Sequence, residues 1–156
     1  MAQQSKIERD EIPALGDILE FMRLLWAVDH GLHSTSKRMN ANLGVTGPQR
    51  LVIRMTGKFP GISAGELAQI LHVHKSSLTG VLQRLEERGL IKRAGDPEDG
   101  RRAIFSLTAK GKEVDALRAG TVEQAIRKAI GKLPADKVEA AREVLTIVAG
   151  ALDADS

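Results

Sequence analysis

The chain has 156 residues, 42% of them hydrophobic and 28% charged, and contains no cysteine. That is a globular composition, long enough to bury a core as one domain or as a small lobe with a dimerising extension. It excludes disulfide scaffolds, thiolate metal sites and cysteine nucleophiles. No apolar run approaches the ~20 residues of a membrane span. The start, Met1 to Lys6, lacks the apolar stretch of a signal peptide, so a cytoplasmic protein is expected. The net charge of +3 is unevenly spread. Residues 46–112 carry twelve Lys/Arg against six Asp/Glu, net +6, while the two flanks together are net −3. A basic middle between acidic flanks suggests a polyanion-binding unit held by a scaffold that does not touch the polyanion. With one Trp, three Phe and no Tyr, a stacking surface for single-stranded nucleic acid is not expected.

Taken in chain order, the first strong period runs from Ile12 to about Leu32. Leu15, Ile18, Leu19, Met22, Leu25, Trp26 and Leu32 form one broad apolar helical face, with Pro13 suited to the first turn. The pattern can extend through Met39 to Leu43, with Gly44 as a stop. Thr46-Gly47-Pro48-Gln49 starts the next helix. Leu51, Val52, Met55 and Phe59 are expected to face inward, and Pro60-Gly61 to end it. Ser63-Ala64-Gly65-Glu66 reads as a capping box before a short helix with Leu67, Ala68, Ile70 and Leu71 apolar. His72-Val73-His74 is a tight turn. Lys75 to Arg88 is then a helix with Leu78, Val81, Leu82 and Leu85 inward and Gly89 as left-handed terminator.

The period then changes. Leu90 to Arg93 reads as a strand, 94–101 as a turn and Arg102 to Leu107 as an alternating strand. Together they make a two-stranded hairpin that must pack on the preceding helices to be stable. Thr108 can cap a helix over 109–132, with Val114, Leu117, Ile126 and Ile130 apolar, broken by Leu133-Pro134. The last helix spaces Val138, Ala141, Leu145, Val148 and Leu152 by threes and fours, a narrow seam suited to a helical partner.

Residues 63–88 have the length and pattern of a helix-turn-helix. The outer face of its second helix carries Lys75, Ser76, Ser77, Thr79, Gly80, Gln83 and Arg84. Short donors and acceptors near the N-terminus and longer ones beyond are what a major groove accepts. The competing reading is an ordinary helical hairpin with a solvated face. The hairpin tip, Asp96-Pro97-Glu98-Asp99-Gly100-Arg101-Arg102, weighs against it by placing two guanidinium groups on a protruding loop. Arg101 suits a narrow minor groove of high negative potential. Asp99 is placed to hold that side chain extended, and Arg93 to brace Asp96 or Asp99. A merely solubilising turn would not explain why this loop directly follows a helix-turn-helix.

Over about residues 12–152 the chain resembles the MarR/SlyA family of winged-helix regulators. The resemblance rests on Leu67-Ala68, on Leu85 to Ile91, on Arg93, on the wing pattern Asp96 to Arg102, and on Leu107-Thr108-Ala109-Lys110-Gly111. It implies a mainly α fold with a small β-hairpin wing, a six-helix homodimer. Residues 12–45 and 109–152 would dimerise, and 46–108 would form the DNA-binding lobe. It further implies a ligand-responsive repressor on a pseudo-palindromic operator, with half-sites about one turn, ~10 bp, apart. By the same likeness Ser76, Ser77 and Thr79 read the groove and Arg101 is the wing arginine. Lys75, Gln83, Arg84 and Arg102 are further base or phosphate contacts, and Ser63 can donate to phosphate. Two positions depart from the pattern. His74 stands where a small hydroxyl residue usually starts the recognition helix, and is left to cap weakly or to contact DNA. Gly100 stands where many members carry another Arg.

Family members bind small anionic aromatic compounds between the dimer helices and the DNA lobe, and Trp26, His30 and His33 would line such a cleft. Ordinary dimer-core packing is the competing reading. The His30/His33 and His72/His74 pairs fall short of the three or four ligands a metal needs, so no metal and no cofactor are expected. An enzyme finds no nucleophile–base–orienter set and no glycine-rich phosphate loop here. The remaining alternative is an architectural DNA-binding protein with little sequence preference and steep salt dependence.

Overall fold

The computed structural model describes residues 14–154. In chain order it contains α1 (Asp17–Leu43), α2 (Gly47–Lys58), β1 (Ile62–Ser63), α3 (Ala64–Leu71), α4 (Lys75–Glu87), β2 (Ile91–Gly95), β3 (Ala103–Leu107), α5 (Ala109–Ala116), α6 (Val122–Ile130) and α7 (Ala135–Ala154). The expected places of Ile12 and Pro13 lie outside the described residues. Helix α1 starts at Asp17, later than expected, so Leu15 precedes it, and it runs on through Met39 to Leu43 as the pattern allowed. Gly44, at φ 74°, ends it by turning its N–H back onto the Asn40 carbonyl.

Local chemistry sets most boundaries. At Thr46 and at Ser63 a full capping box forms, with the hydroxyl accepting from the third amide and the Gln49 or Glu66 side chain returning to the cap amide. Thr108 caps α5 by accepting from Gly111, and its own hydroxyl donates to the Gly89 carbonyl. Gly89, at φ 69°, closes α4. These contacts bind the end of α4, the start of β2 and the start of α5 into one unit.

The wing belongs to a three-stranded antiparallel sheet of order β1-β3-β2, not to an isolated hairpin. Ile91 faces Leu107 and Gly95 faces Ala103, while Ile62 pairs with Phe105 on the other edge. Strand β1 has two residues, too few for a period-two signal. The core joins α2, α3, α4 and the sheet through Val52, Ile53, Leu67, Leu82, Leu85 and Phe105. Two expected core positions on α2 are corrected: Leu51 and Phe59 are exposed, and Ile53 takes the inward place. On α3, Ile70 is likewise exposed.

The helix expected over 109–132 is two helices, which makes seven helices among the described residues instead of six. Leu117 takes an extended ψ of 139°, Gly120 a φ of 75°, and Thr121 caps α6 by accepting from Gln124. At the break a side chain of α2 reaches carbonyls at and just past the end of α5, where Arg118 also donates to those of Asp115 and Leu117. Arg50, 2% exposed, donates to the carbonyls of Val114, Asp115 and Leu117 and to the Glu123 carboxylate.

Gly111 shows why the Thr108–Gly111 motif requires glycine at its last position. A Cβ there would lie 1.9 Å from the Leu90 carbonyl oxygen, a backbone atom that cannot swing aside. Gly111→Ala is expected to cost at least about 2 kcal/mol through this overlap, measured by chemical denaturation. Stability unchanged would mean that α5 does not sit this close to β2.

Candidate nucleic-acid interface

Helices α3 and α4 form the helix-turn-helix, turning at His72 in the left-handed region at φ 51°. Leu78, Leu82 and Leu85 bury one face of α4, which turns Lys75, Ser76, Ser77, Thr79, Gln83 and Arg84 outward, all exposed. The Thr79 hydroxyl donates to the Lys75 carbonyl at 3.2 Å and keeps its acceptor capacity outward. Gln83 donates to Glu87 at 3.1 Å.

The wing tip is built by aspartates acting on backbone. Asp96 accepts from the Glu98 amide at 2.9 Å and Asp99 from the Arg101 amide at 3.1 Å. Asp99 therefore shapes the turn beneath Arg101; no contact between the two side chains is formed among the described residues. The two arginines of the tip part company. Arg102 leans back onto Asp96 at 3.3 Å and Glu66 at 3.5 Å, tying the wing to the start of α3. Glu66 stays ionised for this: hydrogen bonds from the Ser63 amide, then from its hydroxyl, hold its carboxyl below the ordinary value, with Arg102 adding to the effect. The expected brace is thus Arg102, not Arg93. Arg93 pairs instead with Glu86 at 3.5 Å and lies over the Phe105 ring.

Between α3, α4 and the wing lies an open cleft of about 480 Å³ whose walls include Ser63, Lys75, Thr79, Arg93, Arg101 and Arg102. Among the described residues, Lys75, Arg84 and Arg101 make no ion pair with any acid. Their charge faces solvent along one side of the molecule. The structure thus brings Lys75, Thr79, Arg101 and Arg102 to one concave surface, with Ser76, Ser77, Gln83 and Arg84 along the same helix. Ser63 is corrected in role. It is buried, and its hydroxyl is committed to Glu66, so it holds the helix end and offers no donor to a phosphate. His74 is the N-cap residue but makes no capping bond; its Nε2 lies 3.3 Å from Asp153 of α7.

Trp26, His30 and His33 all lie exposed on α1. His33 turns its Nδ1 back to Asp29, 3.0 Å from the carbonyl oxygen and 3.3 Å from the carboxylate. Among the described residues no cluster of three His, Asp or Glu could hold a metal. Sequence reasoning missed the polar network of Arg50, Arg54, Asp115 and Glu123. The one local signal for part of it was Thr121-Val122-Glu123-Gln124, the spacing of a capping box.

A short sheet, a protruding wing and a helix-turn-helix whose second helix presents an unpaired basic, hydroxyl-bearing face define a winged-helix DNA-binding protein. Comparison with known proteins agrees. The MarR family model matches residues 43–102. The HTH-type transcriptional repressor Rv2887 of Mycobacterium tuberculosis is 30% identical over 112 residues, 72% of this chain and 81% of that protein. The crystal structure of the S. aureus MepR–DNA complex superposes with a TM-score of 0.70 at 19% identity, covering 85% of this chain and 97% of that one. The PcaV regulator from Streptomyces coelicolor, solved with its natural ligand, gives 0.69 at 22% identity, covering 91% and 98%. The chain belongs to the MarR family of transcriptional regulators.

Proposed function

We propose that the protein is a sequence-specific repressor that binds a pseudo-palindromic operator as a homodimer and is released by a small anionic aromatic effector. The observation that carries this is the set of unpaired cations, Lys75, Arg84 and Arg101, flanking exposed Ser76, Ser77 and Thr79 on one face. Phosphate attraction needs the cations; base reading needs the short hydroxyl side chains that let the helix seat deeply. In this reading residues 46–108 bind DNA, with Arg101 in the minor groove, and residues 12–45 and 109–152 pair with a second copy.

The dimer is supported by apolar surface left bare in the single chain. Trp26 is 63% exposed, Ile18 75%, Leu145 52% and Ile147 72%, and no residue of α7 is buried. Two long helices with that much apolar surface need a partner. Leu145→Asp is expected to convert the dimer to monomer in light scattering and to weaken operator binding, because it places an unpaired charge in the seam. A variant that still runs as a dimer would remove α7 from the interface.

An effector is supported by the fold shared with PcaV, which was solved with its natural ligand. Trp26, His30 and His33 supply ring surface and hydrogen bonds for such a compound at the dimer side of the DNA lobe. The direct test of the function is capture of sheared genomic DNA by the purified protein, followed by sequencing. Enrichment of a few discrete fragments is expected. Uniform recovery that collapses with salt would identify an architectural binder instead.

A further inference from the structure

The geometry points to Arg50 as a positioning residue that fixes the angle between the DNA lobe and the dimerising helices. Helix α2, which carries it, packs against α1 on one side and against α4, α5 and β3 on the other, and so stands where the two halves of the chain meet. From there its guanidinium spans the break at 117–121. On one side it donates to the carbonyls of Val114, Asp115 and Leu117, the open end of α5. On the other it donates to Glu123 in the first turn of α6, at 2.9 Å from Nε and 2.6 Å from Nη2. Arg54, one turn on, adds Asp115 at 2.6 Å and Glu123 at 3.8 Å.

One planar fork thus closes one helix and opens the next. The segment it spans has an extended Leu117, a left-handed Gly120 and no helical ladder; its own bonds are short-range, from Arg118 to the Asp115 and Leu117 carbonyls, from Thr121 to the Arg118 carbonyl and from the Gly120 amide to Gln124. Helix α1 packs on α2 as well as on α6, so that angle fixes where α6 stands against the rest of the chain. An apolar contact would tolerate rotation; a guanidinium committed to four acceptors in fixed directions does not. In a dimer, a small error at this elbow is carried out to the separation of the two recognition helices, which must match the groove spacing. Arg50 touches no DNA in this account. It sets the spacing at which two lobes bind together, and this part rests on the dimeric-repressor reading above.

The chain lacks cysteine, so paired spin labels at Lys112→Cys on α5 and Lys128→Cys on α6 report the elbow within one chain. Labelled chains are diluted into unlabelled ones, and no DNA is needed. The native protein should give one narrow distance, and Arg50→Met a broadened or two-peaked one, with Arg50→Lys between them. Glu123→Gln, which keeps an acceptor for the fork, guards against loss of folding and should broaden the distance slightly. An unchanged distance in both Arg50→Met and Glu123→Gln would overturn the inference. On DNA, Arg50→Met should weaken binding to a two-half-site operator about tenfold more than to a single half-site. Equal weakening at both would show that Arg50 serves stability only. If the native protein prefers no operator, the repressor reading falls, and the distance measurement still decides whether Arg50 holds the elbow.

Discussion

Arg50→Ala is expected to cost about 3 kcal/mol of stability, the low end for breaking a buried ion pair because Glu123 keeps about a third of its surface in water. The loss has two parts. Three carbonyls, those of Val114 and Asp115 in α5 and of Leu117 just past it, lose a buried donor. Glu123 loses the partner that offsets its desolvation. Burial by itself raises the Glu123 pKa, but the hydrogen bond and charge of Arg50, helped by Arg54, overcome it and leave the carboxyl below its ordinary value of 4.5. A carboxyl lowered on folding contributes stability above its unfolded pKa and loses it as the pH falls through the folded value. Acid unfolding of the native protein should therefore carry a component below pH 4.5 that Arg50→Ala lacks. For a chain this long, 3 kcal/mol lowers Tm by roughly 6–12 °C. A shift of a degree or two in a calorimetric scan would show that the network is solvated and weak.

Arg101→Ala should have the largest effect on DNA affinity while leaving the fold intact. The side chain is exposed at the wing tip and pairs with no acid among the described residues, and Asp99 shapes the turn through the backbone amide, which alanine retains. Removing a cation from a narrow minor groove should cost about 1–3 kcal/mol per half-site and reduce the salt slope by about one per lost phosphate-level contact. Fluorescence anisotropy at near-physiological salt, with a thermal melt beside it, separates the two effects. Arg102→Ala should differ in its effect on the fold. It loosens the wing by removing the ties to Asp96 and Glu66, and so lowers stability as well as affinity. Unchanged affinity in Arg101→Ala would remove the wing from the interface.

Much of this architecture could be read locally. Three Ser/Thr caps, the αL glycines at 44 and 89 and the Asp-Pro-Glu-Asp-Gly turn each declare a boundary within four residues of themselves, and each stands where it was expected. The outward face of α4 was legible because Leu78, Leu82 and Leu85 leave it no other orientation. What was not legible depends on partners far along the chain. The apolar spacing of Val114, Leu117, Ile126 and Ile130 runs on across the break at 117–121, and the buried donor that meets the carbonyls there, Arg50, lies more than sixty residues away. Arg50 has no acid three or four residues from it to hint at a buried pair. The brace on the wing went to Arg102 in place of Arg93 because side-chain reach depends on the β2–β3 register, which the sequence leaves open. His74 shows the same limit: its partner, Asp153, lies near the far end of the chain.

Two copies of this winged-helix face should read DNA sequence as a pair. The decisive experiment is in-vitro selection from a random duplex library with purified protein, at near-physiological salt. Recovery of an inverted repeat with half-sites about one helical turn apart is expected. Recovery of no motif, with binding that collapses as salt rises, would contradict it and leave a basic surface that grips phosphates without reading bases.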